Sequence, residues 1–384
     1  MNSISPADPM EAKSGLNPPY VLRPVDGASF LLLGDQSAVF SEASQKIYAL
    51  NHIAAYIWCQ LEEGETLHGI RDGLVRSGVA ANLADKYVSQ AMRMWHKVGL
   101  LRPDWQFDHE VIPFVRSFNI HIAGFTATMR IATERLADLL TLFDHQSVPM
   151  QDGRHIIDVV EADNFIQVFH NNHGAFCCDP NELAPTLKAY ITDQLVAASP
   201  PNVVVHAACL RRGGKNLLIS GRPGAGKTTL SLRLAEAGFT YGGDDITLVA
   251  PDGTAAGVPF APAIKPGAWE IVSQFRPDLD EAVIHRRPDG KRVRYVRPER
   301  IDGSYGPVGW ILFIRRGRGP AKFTQLDRIE VMRRLMDGSY SPGEKMTLAM
   351  CNALKQAING ADCFELSYSD SAEARDAIIR LCDG

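Results

Sequence analysis

The sequence predicts a mixed α/β protein: a phosphate-binding-loop domain in the second half, preceded by a small winged-helix-like α+β domain. Three observations lead there. The apolar run Leu217-Leu218-Ile219-Ser220 passes through a glycine-rich turn, Gly221 to Gly226, into a helix-forming stretch that starts at Lys227. Two adjacent carboxylates, Asp244 and Asp245, return only seventeen positions after Lys227. Between Tyr20 and Arg102, short strand-like runs give way to stretches with apolar residues at helical spacing.

The turn Gly221-Arg222-Pro223-Gly224-Ala225-Gly226-Lys227-Thr228, with Thr229 after it, fits G-x-x-x-x-G-K-[ST]. Its glycines let backbone N–H groups converge on an anion, and the following helix N-terminus adds partial positive charge. Lys227 is expected to hold the β- and γ-phosphates of a nucleotide, and Thr228 to place its hydroxyl on Mg²⁺. Leu230 and Leu234 then lie one turn apart, with Gly238 as a helix stop. The competing reading is a glycine-rich turn that binds nothing.

The rest of the composition bounds the function. At 384 residues the chain holds two or three domains, and a formal charge of -4 argues against general affinity for nucleic acid. The seven cysteines show no C-x-x-C spacing, which suits a reducing cytoplasm better than a disulfide framework or a zinc site. Residues 1–19 read as a loose tail and not as a signal peptide, and no run of 18 apolar residues predicts a membrane span.

In the first domain, Ser29–Leu33 and Ala38–Phe40 flank a Gly34-Asp35 turn, and Lys46–Leu50 leads to Asn51, an expected N-cap. Helices are expected over Ile53–Leu61, Thr66–Arg76 and Leu83–Val98. The residues Ile47-Tyr48-Ala49-Leu50-Asn51, Ala54-Ala55-Tyr56-Ile57-Trp58, Gly64, Leu67, Ile70, Leu74 and Val98-Gly99-Leu100-Leu101 resemble the PqqD family of peptide-recognition domains. That resemblance implies that residues 20–104 hold the leader of a ribosomally made precursor peptide as an added strand. An exposed edge around Ser29 to Phe40 is expected to supply the backbone hydrogen bonds, and the third helix the apolar pockets. A packing module that binds nothing and a DNA-reading winged helix are the alternatives; the third helix offers only Lys86, Arg93, His96 and Lys97 for the latter.

Pro103 to Gln106 reads as a linker, and residues 105–181 as a connecting region of strands around a helix, Glu134–Phe143. His170, His173, Cys177 and Cys178 lack zinc-site spacing and read as loop residues. Glu182–Val196 is expected to be a helix ended by Pro200-Pro201. Val203–Val205 and Leu217–Ser220 then flank a hairpin turn at Arg211 to Lys215 that delivers His206 to the loop.

Around the carboxylates, residues 182–384 resemble the HPr kinase family of P-loop protein kinases, whose nucleotide site is shared with phosphoenolpyruvate carboxykinases. The matching pieces are His206-Ala207-Ala208, Leu218-Ile219-Ser220-Gly221 through Lys227-Thr228-Thr229, and Gly238-Phe239 leading to Gly243-Asp244-Asp245. The resemblance implies ATP and Mg²⁺, with Lys227 on phosphate, Thr228 and Asp245 on the metal, and Asp244 as the base. Sequence cannot orient adjacent side chains, so the two aspartates remain exchangeable, and His206 is open between a metal or phosphate contact and a structural role.

The chain departs from the family after the double Asp: Pro259 to Gly267 stands where an Ile-Glu-x-Arg-Gly signature is expected, which leaves the phosphorylase activity of some relatives without its residues. Lys265 is the candidate substitute cation. Arg292 and Arg294 lie in a basic hairpin, His285 to Arg300, that either clamps phosphates or an acidic peptide or has no role; Arg315 is a further candidate phosphate contact. Together the two resemblances predict a cytoplasmic, ATP-dependent kinase of a serine or threonine in a precursor peptide, with homo-oligomerisation left open. A small carboxykinase-like metabolite enzyme and a non-catalytic ATP-dependent peptide-binding chaperone are the alternatives.

Overall fold

The structure, a computed structural model, describes residues 20–105, 113–148, 155–162, 165–198, 202–340 and 346–384. The expected tail and the Pro200-Pro201 stop lie outside them. The chain divides into two compact units, Met1–Pro113 with Val160–Cys177, and Phe114–Val159 with Cys178–Gly384. The 105–181 segment is thus not one connecting region, because its residues 160–177 belong to the first unit.

In the first unit, strands Ala28–Leu33, Gln36–Ser41 and Lys46–Leu50 form an antiparallel sheet in that order. The edge expected around Ser29 to Phe40 is therefore half right. Gln36–Ser41 is the paired centre, and the free edges among the described residues are Ala28–Leu33 and Lys46–Leu50. Three helices follow, His52–Glu62, Leu67–Arg76 and Ala81–Lys97. Asn51 caps the first by accepting the Ala54 N–H at 2.8 Å, and Thr66 caps the second by accepting the Gly69 N–H at 3.0 Å. Their apolar faces close on Trp58 and Trp95, edge to face at 5.1 Å, with Val39, Ile70, Met92 and Phe169 around them. The expected linker after Arg102 is instead strand Leu101–Trp105, paired antiparallel with Tyr20–Pro24.

The second unit is α/β. Among the described residues its main sheet runs Thr240–Gly243, Ala208–Arg212, Lys215–Ser220, Val308–Arg316, Asp362–Tyr368, Lys322–Gln325. Alternation along the strands gives each face its own core. Leu217, Ile219, Leu312 and Ile314 meet Leu230, Leu234 and Ile378, on helices Lys227–Glu236 and Ser371–Asp383. Leu218, Ile311 and Phe313 meet Leu335, Leu354 and Ile358, on helices Arg328–Asp337 and Leu348–Asn359. The hairpin is made by Ala208–Arg212, not by Val203–Val205. The latter pairs with Thr247–Val249 and Ser339–Tyr340 in a second sheet, so His206 sits where the chain steps from one sheet to the other. The helix expected over Glu134–Phe143 ends at Leu139 and tightens into a 3₁₀ segment, Thr141–Gln146.

Candidate active site

Strand Lys215–Ser220 runs parallel to Val308–Arg316, which runs parallel to Asp362–Tyr368, so all three end on the side where the glycine-rich loop begins. The loop closes at Gly226, whose φ of +100° is left-handed; a Cβ there would also stand 2.6 Å from the Tyr368 hydroxyl. That hydroxyl donates to the Ala225 carbonyl at 2.8 Å, and the Arg316 guanidinium lies over the Tyr368 ring at 4.7 Å. Lys227 opens the helix with its side chain buried, and its Nζ donates to the Gly221 carbonyl at 2.9 Å. Burial pushes the Lys227 ammonium below its usual range, Asp245 and Asp244 oppose that, and Lys265 adds to it. Lys265, exposed at the start of helix Pro266–Ser273, therefore stands within electrostatic reach of the loop.

The two aspartates have opposite surroundings. Gly243, at φ +146°, brings the backbone so close to Val258 that a Cβ would lie 2.5 Å from its carbonyl oxygen, so the chain turns into Asp244 without a side chain in the way. Asp244 is buried: the Thr228 hydroxyl donates to its Oδ2 at 2.7 Å, and the Tyr241 hydroxyl stands 3.0 Å from its Oδ1 and 3.1 Å from the Phe260 carbonyl. Tyr241 is itself fully buried, and burial followed by the Asp244 charge holds its hydroxyl protonated far above the usual tyrosine range. Asp245 is exposed, and its Oδ1 lies 3.1 Å from Nδ1 of His206. The backbone N–H of His206 donates to the Gly338 carbonyl at 2.8 Å.

A hydroxyl and one carboxylate oxygen are the protein's usual share of a Mg²⁺ shell in a nucleotide site, the remainder being phosphate oxygens and water. Thr228 and Asp244 fit that share, and among the described residues no group of three His, Cys, Asp or Glu side chains is placed to hold a metal without a ligand's oxygens.

Beside the loop lies a cleft of about 980 Å³, walled by Gly221 to Ala225, His206, Arg315, Glu365 and the helix residues Glu330 and Arg334. Arg315, a sequence candidate, is thus in place at the loop. Arg292 and Arg294 do not line this cleft: their guanidiniums lie over the Trp269 ring at 5.8 and 4.5 Å, and Arg294 donates to the Leu279 carbonyl at 3.1 Å. Sequence reasoning did not single out Tyr241, Arg334 or Lys188. The Lys188 Nζ donates to the Ala261 carbonyl at 3.1 Å and stands 5.5 and 5.6 Å from the centres of the Phe260 and Tyr295 rings. Only the place of Tyr241 three residues before Asp244 offered a signal; the others arrive from distant segments.

The first unit carries its own apolar groove of about 460 Å³, between helices His52–Glu62 and Ala81–Lys97, lined by Ile53, Ala54, Ile57, Tyr87, Ala91 and Met94. Asn51, at the end of edge strand Lys46–Leu50, also lines it.

No protein-family model matches the chain, and no curated protein matches it. Among solved structures it is similar to TbiB1 in complex with the TbiA(beta) leader peptide: 19% identity over 21% of this chain and 93% of that one, TM-score 0.20. It is also similar to the HPr(Ser) kinase/phosphatase from Coxiella burnetii: 12% identity over 47% of this chain and 99% of that one, TM-score 0.22.

Proposed function

We propose that the protein is an ATP-dependent kinase that transfers the γ-phosphate to a serine or threonine hydroxyl of a ribosomally synthesised precursor peptide. The observation that carries this reading is the division of labour between the two aspartates: one is held by the loop threonine, the other stands in solvent beside a histidine. Asp244 with Thr228 is the metal-side pair, and Asp245 with His206 is the base, which is the reverse of the order first read from the sequence. Asp245 accepts the proton of the acceptor hydroxyl, whose oxygen forms the new bond to the γ-phosphorus while the bond to the bridging oxygen breaks and ADP leaves. His206 orients the Asp245 carboxylate. Lys227 and the loop N–H groups hold the transferring phosphates, and Lys265 adds positive charge at their flank. When bound, Mg²⁺ supplies neutralisation of the phosphate oxygens.

The first unit, in this reading a PqqD-type domain, takes the peptide leader as a strand added to the free edge at Lys46–Leu50. Apolar leader side chains enter the groove between its first and third helices. Binding the leader at a distance raises the effective concentration of the acceptor at the loop.

The test is to incubate the full chain with Mg-ATP and candidate precursor peptides. A phosphoryl group gained by the peptide, with one ADP per event and loss of both in Asp245→Asn, is expected. ADP release without peptide modification would make the protein an ATPase, and peptide-dependent ATP binding without ADP would make it a chaperone.

A further inference from the structure

We propose that the cleft beside the glycine-rich loop is the acceptor site, and that it selects a hydroxyl flanked by a carboxylate. The inference rests on the kinase reading and names the substrate chemistry of that site. The cleft is bounded by the early loop residues Gly221 to Ala225 and by His206, the partner of Asp245, so it lies between the phosphate-binding loop and the neighbour of the proposed base.

The hydrogen-bonding capacity left over in the cleft is mostly that of donors. Both oxygens of Glu365 are occupied: Oε1 by Nε of Arg315 at 2.6 Å, Oε2 by Nη1 of Arg334 at 2.8 Å. Oε1 of Glu330 accepts from Nε of Arg334 at 2.7 Å. Arg334 is fixed further by lying over the Phe313 ring at 5.3 Å, so its guanidinium is set in place before any ligand arrives. These pairs leave guanidinium N–H groups of Arg315 and Arg334 free, and the exposed Arg222 side chain has no hydrogen bond or ion pair among the described residues. Four arginines, 222, 315, 316 and 334, face three acidic residues, of which Asp337 is exposed and unpaired. A ligand that satisfies the cleft must supply acceptor oxygens and negative charge, and an Arg fork matches a carboxylate in two-point geometry.

The experiment uses two ten-residue synthetic peptides with a central serine, identical except that aspartates flank it in one and asparagines in the other. Binding to the full chain, saturated with Mg²⁺ and a non-hydrolysable ATP analogue, is read by fluorescence anisotropy, and nucleotide affinity is read in parallel. The aspartate peptide is expected to bind about tenfold more tightly. Arg334→Gln and the solvent-side Arg315→Gln are expected to abolish the preference while nucleotide affinity holds. Equal binding of the two peptides, or binding of neither, would overturn the inference. So would a parallel loss of nucleotide affinity in the variants, which would assign the arginines to ATP. Failure of the wild-type chain to bind nucleotide would instead sink the kinase reading.

Discussion

The hydroxyl of Thr228 donates to Oδ2 of Asp244 across 2.7 Å, while the next residue, Asp245, reaches in the other direction to His206 at 3.1 Å. The two residues lie in the bend between strands Thr240–Gly243 and Thr247–Val249, and it gives each carboxylate its own surroundings, as the proposed roles of metal-side carboxylate and base require.

The separation predicts different kinetic signatures. Asp245→Asn keeps size and removes basicity, and kcat for peptide phosphorylation is expected to fall roughly 10²- to 10⁴-fold with ATP affinity kept. Asp244→Asn is expected to raise the Mg²⁺ concentration needed for half-maximal ATP binding. Titrating Mg²⁺ against both variants by thermal shift checks the assignment, and a swap of the two signatures would restore the opposite one.

Tyr241→Phe removes one oxygen and leaves Oδ1 of Asp244 and the Phe260 carbonyl without that partner in a buried site. A cost of about 1–3 kcal/mol in unfolding free energy is expected. A freer Asp244 is also expected to weaken the Mg²⁺ dependence of nucleotide binding. Chemical denaturation and the same Mg²⁺ titration measure the two effects separately.

Met94, on the groove wall of the first unit, is 55% exposed, so Met94→Glu changes the groove without emptying the core. The KM for a leader-bearing peptide is expected to rise about tenfold or more, while a short acceptor without the leader is phosphorylated as before. Equal loss toward both would mean that the groove serves the fold.

His285 predicts an acid limb of stability. Burial lowers its pKa below the ordinary 6.5, and its Nδ1 has no partner among the described residues. The folded chain therefore binds this proton less readily than the unfolded one. The stability is fully present above about pH 6.5 and is lost as pH falls through the lower folded value. His285→Phe is expected to flatten the unfolding midpoint between pH 7 and pH 5, measured by calorimetry.

Much of this architecture was legible because the signals were local. Lys46–Leu50, the Asn51 cap and the strand, loop and helix around Gly221 follow from patterning, capping chemistry and glycine. What escaped was set by distant partners. Pro103 looked like a linker because proline punctuates loops, yet it pairs opposite Leu22 in a strand that needs Tyr20–Pro24, some eighty residues away, to exist. The hairpin was misassigned because Val203–Val205 and Ala208–Arg212 are separated only by His206 and Ala207, and nothing in two residues announces a change of sheet. Arg334 reaches the cleft from more than a hundred residues beyond the loop, by way of Glu365.

Lys227→Ala is expected to abolish the thermal stabilisation given by Mg-ATP while the protein alone unfolds near its usual temperature; an unchanged shift would refute the assignment of the loop.

The ammonium of Lys227 rests on the carbonyl of Gly221 at the opening of its own loop. Under the proposed function, the arrival of a nucleotide would be an exchange of partners: one carbonyl lone pair given up as phosphate oxygens are taken. The enthalpy of the lysine contact would then be a difference between two hydrogen bonds. Departure of ADP would be eased by the same exchange, since the ammonium has a seat to return to. The proposed kinase would thus release product without passing through a buried, unpaired charge.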